Sequence, residues 1–126
     1  MEADELDFLM NLKEEFVEEG LEHIDSLEGA ALEYEREGDL EVLTGFKRKL
    51  HSFKGSAQAV DEDVFAEKLH LLETKLEACI QGQRFDDFMQ FIYPLIDKMR
   101  DYVNSMENGG DESVLSEIVT LVDSFQ

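Results

Sequence analysis

Apolar residues recur at intervals of three and four, or twice that, through nearly the whole chain, and no useful stretch alternates with period two. Such a rhythm lines one face of a helix with apolar side chains. Leu9, Leu12, Phe16, Ile24, Leu27, Ala31 and Tyr34 mark a first helix from about Asp4 to Arg36. "EGD" at 37–39 closes it, with Gly38 as C-cap and Asp39 as the next N-cap. Leu43, Phe46, Leu50, Phe53, Ala57 and Val60 form the stripe of a second helix. "DED" at 61–63 supplies acidic residues to the start of a third, with Phe65, Leu69, Leu72, Leu76 and Ile80 inward and an end near "QGQ" at 81–83.

A fourth helix is predicted from about Asp86 to Met106, with Phe88, Ile92, Leu95, Met99, Val103 and Met106 inward. Pro94 falls inside it, so a kink or a division into two helices is expected there. "NGGDE" at 108–112 breaks the pattern before a short helix carrying Val114, Leu115, Ile118, Leu121, Val122 and Phe125. Short connections between amphipathic helices imply an all-α, antiparallel up-down-up-down four-helix bundle with an additional C-terminal helix. The expected organisation is one domain over 1–126: a core bundle at about 5–106, a linker at 107–112 and an accessory helix at about 113–125.

Composition narrows the function. Hydrophobic residues make up 43% of the 126, enough for one sizeable core. The net charge of -20, from 31 acidic against 11 basic residues, argues against nucleic acid and against an anionic membrane surface. A basic partner surface suits it better, although acidity for solubility alone reads the same way. Cys79 is the single cysteine, which excludes an internal disulfide, suits a reducing compartment and reads as a small core residue. "MEADELDF" has neither the basic nor the apolar region of a signal peptide, and no apolar run approaches the ~18 residues of a membrane span. A cytoplasmic, monomeric domain is expected.

Within this acidic chain, "KRKLHSFKGSAQAV" at 47–60 is locally basic. At 100° per residue Thr44, Lys47, Arg48, His51, Lys54, Gly55 and Gln58 share one polar face of the second helix, turned away from its apolar stripe. Cations one turn before and after His51 suit a group that acquires negative charge. A phosphorylated imidazole is such a group, bringing roughly two negative charges. Lys54, at i+3, is placed to meet phosphoryl oxygens. Gly55, at i+4, costs about 1 kcal/mol against alanine in a helix interior, and leaves room for another protein's active site to close over the ring. An ordinary surface histidine among solvated lysines would present the same face.

"HSFKGSA" at 51–57 resembles the H-x-x-K-G-small-small signature of histidine-containing phosphotransfer (HPt) domains. The resemblance extends over about residues 5–105, and its specific part is the segment around His51. It implies a four-helix bundle whose exposed histidine carries phosphate from a histidine kinase, or its catalytic domain, to a receiver-domain aspartate of a response regulator. "HLLE" at 70–73, with His70 and Glu73, is similar to the third helix of the N-terminal phosphotransfer domains of chemotaxis-type kinases, as is the presence of a fifth helix. There the glutamate bonds the imidazole nitrogen that is not phosphorylated. The pattern of Leu69, Leu76 and Ile80 around Glu73 independently puts its carboxylate beside the core, where it needs a partner. A surface glutamate paired with Lys49 or Lys75 is the other reading.

The resemblance thus assigns phosphorylation at Nε2 to His51, ring orientation to Glu73, phosphoryl stabilisation to Lys54 and a supporting role to His70. Lys47, Arg48, Gly55, Ser56 and Gln58 are assigned to partner docking. Such a chain is a phosphocarrier without a nucleotide-binding motif of its own, phosphorylated by another polypeptide or by a catalytic region outside it. Mg²⁺ is expected on the kinase or receiver, and no cofactor on this chain. One departure stands out: Asp61 occupies the tenth position after His51, where HPt sequences often carry glycine.

Two other classes compete. Glu67-x-x-His70 has the spacing of half a carboxylate-bridged metal site. The second half is lacking, because Gly20 precedes His23 and Arg48 precedes His51 by three, so no metal is expected. A structural interaction bundle that has lost phosphotransfer would show the histidine, lysine or glycine replaced, and none is.

Overall fold

The computed structural model describes residues 3–126, and among these every regular element is helical. Five α-helices follow one another: α1 (Ala3–Glu37), α2 (Leu40–Ala59), α3 (Asp63–Gly82), α4 (Phe85–Ser105) and α5 (Glu112–Ser124), with a single 3₁₀ turn at Met106–Asn108 after α4. The boundaries follow local chemistry. Gly38 takes φ +69°, which suits a residue without Cβ, and the Asp39 carboxylate accepts from the Glu41 N–H at 2.9 Å to cap α2. Asp111 caps α5 in the same way, accepting from the N–H groups of Ser113 and Val114.

Neighbouring helices run antiparallel. Phe16, almost four turns into α1, stacks on Phe53 in the second half of α2, Phe53 meets Phe65 at the start of α3, and Phe65 meets Tyr102 at the end of α4. These rings form a continuous aromatic file across the four-helix core, each contact offset or edge-on as ring quadrupoles favour. Leu27, Leu50, Leu72, Leu76, Ile92 and Leu95 fill the remainder without exposure. Burial of each such side chain contributes about 1.5–3 kcal/mol before chain entropy is counted. Gly20 lets α1 approach α4 closely, since a Cβ there would lie 3.2 Å from Val103 Cγ1.

Several expectations change. The first helix begins inside solvent rather than inside the bundle: Leu9 is exposed, and Leu12 and Tyr34 are half-buried. Val60 lies just past the end of α2, half-buried at its C-cap. α4 is one uninterrupted helix through Pro94, not two. Pro94 sits on the solvent side, where water can take the carbonyl that its missing N–H leaves free.

The C-terminal helix is integral to the packing rather than an appendage. α3 and α4 meet over a short stretch only, and α5 lies against both, burying Ile118 and Val122. Lys75 of α3 donates to the carbonyls of Val122 (2.6 Å) and Asp123 (3.0 Å), satisfying acceptors that the helix end leaves open. Phe125 then stacks on Phe91 of α4, with centroids 4.3 Å apart. Among the described residues no helix is long and apolar enough to cross a membrane.

Candidate functional site

Halfway along α2 the polar face opens to solvent, and the His51 side chain there is 67% exposed. Its backbone is held by neighbours Leu50 and Phe53, both without exposure in the core. Glu73 faces it from α3, with its side chain 15% exposed. His51 Nδ1 and Glu73 Oε1 stand 3.6 Å apart, within ion-pair range and a few tenths of an ångström longer than a hydrogen bond. The other carboxylate oxygen, Oε2, is buried with no hydrogen-bond partner among the described residues. A carboxylate so placed is short of donors, and an Nδ1–H is the donor opposite it. With Nδ1 turned toward α3, Nε2 is the nitrogen left for the exposed side of the ring.

One turn toward the start of α2, Lys47 pairs with Glu77 of α3 at 2.9 Å. That hydrogen bond, aided by one from Gln81, holds the Glu77 carboxyl below its ordinary range. Lys47 therefore spends its charge on α3, while Arg48 projects into solvent. One turn beyond His51, Lys54 and Gln58 share a shallow groove with Asp63, Ala66, Glu67 and His70 of α3. Lys54 thus lies beside the Glu67 and His70 half-site, a poor neighbour for a metal cation. His70 is exposed, and its backbone carbonyl accepts from the Thr74 hydroxyl at 3.2 Å.

The residues assigned to docking do not form one patch. Gln58 lies on the α3 side of His51. Ser56 turns the other way, its Oγ 3.4 Å from Nε2 of His23 on α1. Gly55 and Ser56 line a second groove, between α1 and α2, with Leu12 and Phe16 on one wall and Glu15 and Glu19 at its edge. A Cβ at Gly55 would meet nothing within 4 Å, so the fold itself has no need of glycine there.

Two contributors were passed over in the sequence. Glu77 follows Glu73 by one turn on the same face, a spacing that could have flagged it as the partner of Lys47. His23 packs flat on Phe53 at 5.1 Å, and burial lowers its pKa from 6.5. Nothing in the first-helix pattern signals that contact, because the partner ring is thirty residues away. Asp61 takes φ +61°, the left-handed region that favours glycine and that aspartate tolerates better than most residues. The turn from α2 to α3 therefore has the shape that glycine would give it.

Comparison with known proteins agrees with the helical fold. The sequence model for the Hpt domain matches residues 11–109. The chemotaxis protein CheA of Bacillus subtilis (strain 168) is 27% identical over 99 residues, covering 76% of this chain. The matched part makes up 15% of that relative's length. No solved structure matches. A match across most of the bundle shows the family: the chain belongs to the Hpt domain family.

Proposed function

We propose that this domain carries phosphate on His51 in a two-component relay of the chemotaxis type, receiving it from a histidine kinase and passing it to a receiver aspartate. The observation that carries the reading is an exposed imidazole whose Nδ1 faces a largely buried carboxylate, Glu73, at 3.6 Å. In the first step the Nε2 lone pair forms a bond to the γ-phosphorus of ATP held by the kinase. The bond from that phosphorus to the bridging oxygen breaks, and ADP leaves with the electron pair. Glu73 holds the Nδ1 proton, fixes the tautomer and offsets the positive character that the ring gains on attack. In the second step a carboxylate oxygen of the receiver attacks, the N–P bond breaks, and the imidazole regains its lone pair.

Phosphoryl transfer asks chiefly for alignment and charge stabilisation. Lys54 supplies a cation for the phosphoryl oxygens, with His70 across the same groove in a supporting position. Mg²⁺ comes with the kinase or the receiver. The open space at Gly55 admits the partner's active site, and the exposed Arg48 adds to the local field. Incubation with the kinase and ATP tests the reading: the protein should acquire an acid-labile, base-stable phosphate, and His51→Gln should acquire none. The same label on the variant would place the chemistry elsewhere.

A further inference from the structure

α1 has 35 residues, whereas α2, α3 and α4 have 20, 20 and 21. Its first turns therefore outrun the bundle. Phe16 is the first residue of α1 that is fully packed, and Leu12 is half-buried at the mouth of the α1–α2 groove. Before it, Leu6 (51%), Phe8 (63%), Leu9 (41%) and Met10 (54%) stand in solvent. Leu9 continues the line of Leu12 and Phe16, and the other three broaden it into an apolar face. Four large apolar side chains on so short a segment mark an interaction surface. Asp4, Glu5, Asp7, Glu14 and Glu15 surround them, with Lys13 as the sole base.

A second copy of the chain fits poorly. Two such overhangs would bring like charges together. An amphipathic helix projecting alone is instead suited to lie in another protein's apolar groove. The acids around it call for lysine or arginine along that groove's edge.

The charge of the neighbouring helix identifies which partner fits. α2 carries Arg48, Lys49 and Lys54 besides Lys47, which is paired with Glu77 of α3, against Glu41 alone, whereas α1 is acidic along its exposed side. A receiver's phosphate-accepting pocket is acidic by necessity, since it combines an aspartate nucleophile with carboxylates that hold Mg²⁺. That pocket suits α2, and a basic-edged apolar groove beside it would suit α1. The spacing allows one domain to do both. Phe53 lies level with Gly20 and His23, so Phe8 is about 20 Å along the helix axis from the level of His51. A receiver of ~120 residues is roughly 30 Å across.

We propose that the overhang at the start of α1 is a docking surface for the receiver domain that takes phosphate from His51, through an apolar groove edged with lysine or arginine. The proposal rests on the phosphotransfer reading above. It adds a contact away from the reacting atoms, which raises affinity without taking part in transfer.

The test uses the full chain, phosphorylated on His51, with the receiver that drains it fastest as acceptor at varied concentration. Leu6→Ser/Phe8→Ser/Met10→Ser should raise the KM for the receiver about tenfold at unchanged kcat. Asp4→Lys/Glu5→Lys/Asp7→Lys should raise it too and flatten its dependence on salt. The Tm of the bundle should be unchanged, because none of the six side chains is packed against it. Unchanged KM in both variants overturns the proposal. So does a defect confined to phosphorylation by the kinase, which would give the overhang to that partner. A wild-type dimer in sedimentation that the serine variant dissolves would give it to a second copy. If wild type passes no phosphate to any receiver, the phosphotransfer reading fails first; transfer with unchanged KM fails this proposal alone.

Discussion

Two histidines sit on adjacent helices of this bundle, and their surroundings make them different chemical objects. His51 on α2 is largely exposed and faces a carboxylate. His23 on α1 lies half-buried, stacked on Phe53 and within 3.4 Å of the Ser56 hydroxyl. Burial lowers the pKa of His23, outweighing Glu19 and Glu22, which raise it, while Lys49 adds to the lowering. Both rings are nucleophiles in principle. What separates them is access for a phosphoryl group and a partner for the second nitrogen.

The sharpest way to break the comparison is to exchange the losses. His51→Gln should abolish kinase-dependent labelling, and His23→Gln should leave it within about twofold, as expected for a substitution outside the reacting atoms. Loss of labelling in His23→Gln at unchanged Tm would erase the distinction. The next effect concerns the carboxylate. Glu73→Ala should slow phosphorylation on the order of a hundredfold. Its Tm should match or exceed wild type, since the change removes a buried oxygen that lacks a partner. Equal rates for Glu73→Ala and wild type would remove this residue from the mechanism.

Smaller effects sharpen the contrast. Because the folded-state pKa of His23 lies below 6.5, the unfolded chain binds the proton more readily. The stability contributed by neutral His23 is complete above the unfolded value and is lost as pH falls below 6.5 toward the folded one. Thermal melts between pH 7.5 and about 5 should therefore decline more steeply for wild type than for His23→Gln. Parallel curves would show that the ring titrates freely in the fold. The glycines near the two histidines give the smallest difference. Gly55→Ala should stabilise the protein by about 1 kcal/mol, because the new methyl meets open space. Gly20→Ala should gain less in chemical denaturation, because its methyl presses on Val103. Equal gains would mean that the α1–α4 contact yields without cost.

Much of this arrangement was legible in the sequence because helices leave a periodic record. The inward faces of α2, α3 and α4 follow largely from spacing, and the buried positions of Leu43 to Ala57 and Phe65 to Leu76 agree with it, while Ile80 at the end of the α3 stripe is half-buried. Leu9 shows where periodicity stops informing: it has the right phase for the core but lies beyond the end of every other helix. Pro94 shows the converse, a residue that breaks helices in isolation and is tolerated where its turn faces water. Of the candidate site, the proximity of His51 and Glu73 followed from the resemblance, and the face shared by His51 and Lys54 from spacing. The pairing of Lys47 with Glu77, and the turning of Ser56 toward α1, followed from neither.

The sequence by itself determined the helices, their apolar faces and the local cluster of charge around His51, because these depend on residues within a few turns of one another. Tertiary structure alone decided that α5 fills the seam between α3 and α4. It also set Glu73 opposite Nδ1, left the start of α1 uncovered and withdrew His23 from solvent. Each of these depends on register between separate helices, which is fixed by how the aromatic file from Phe16 to Tyr102 packs, and spacing along one helix carries no record of it.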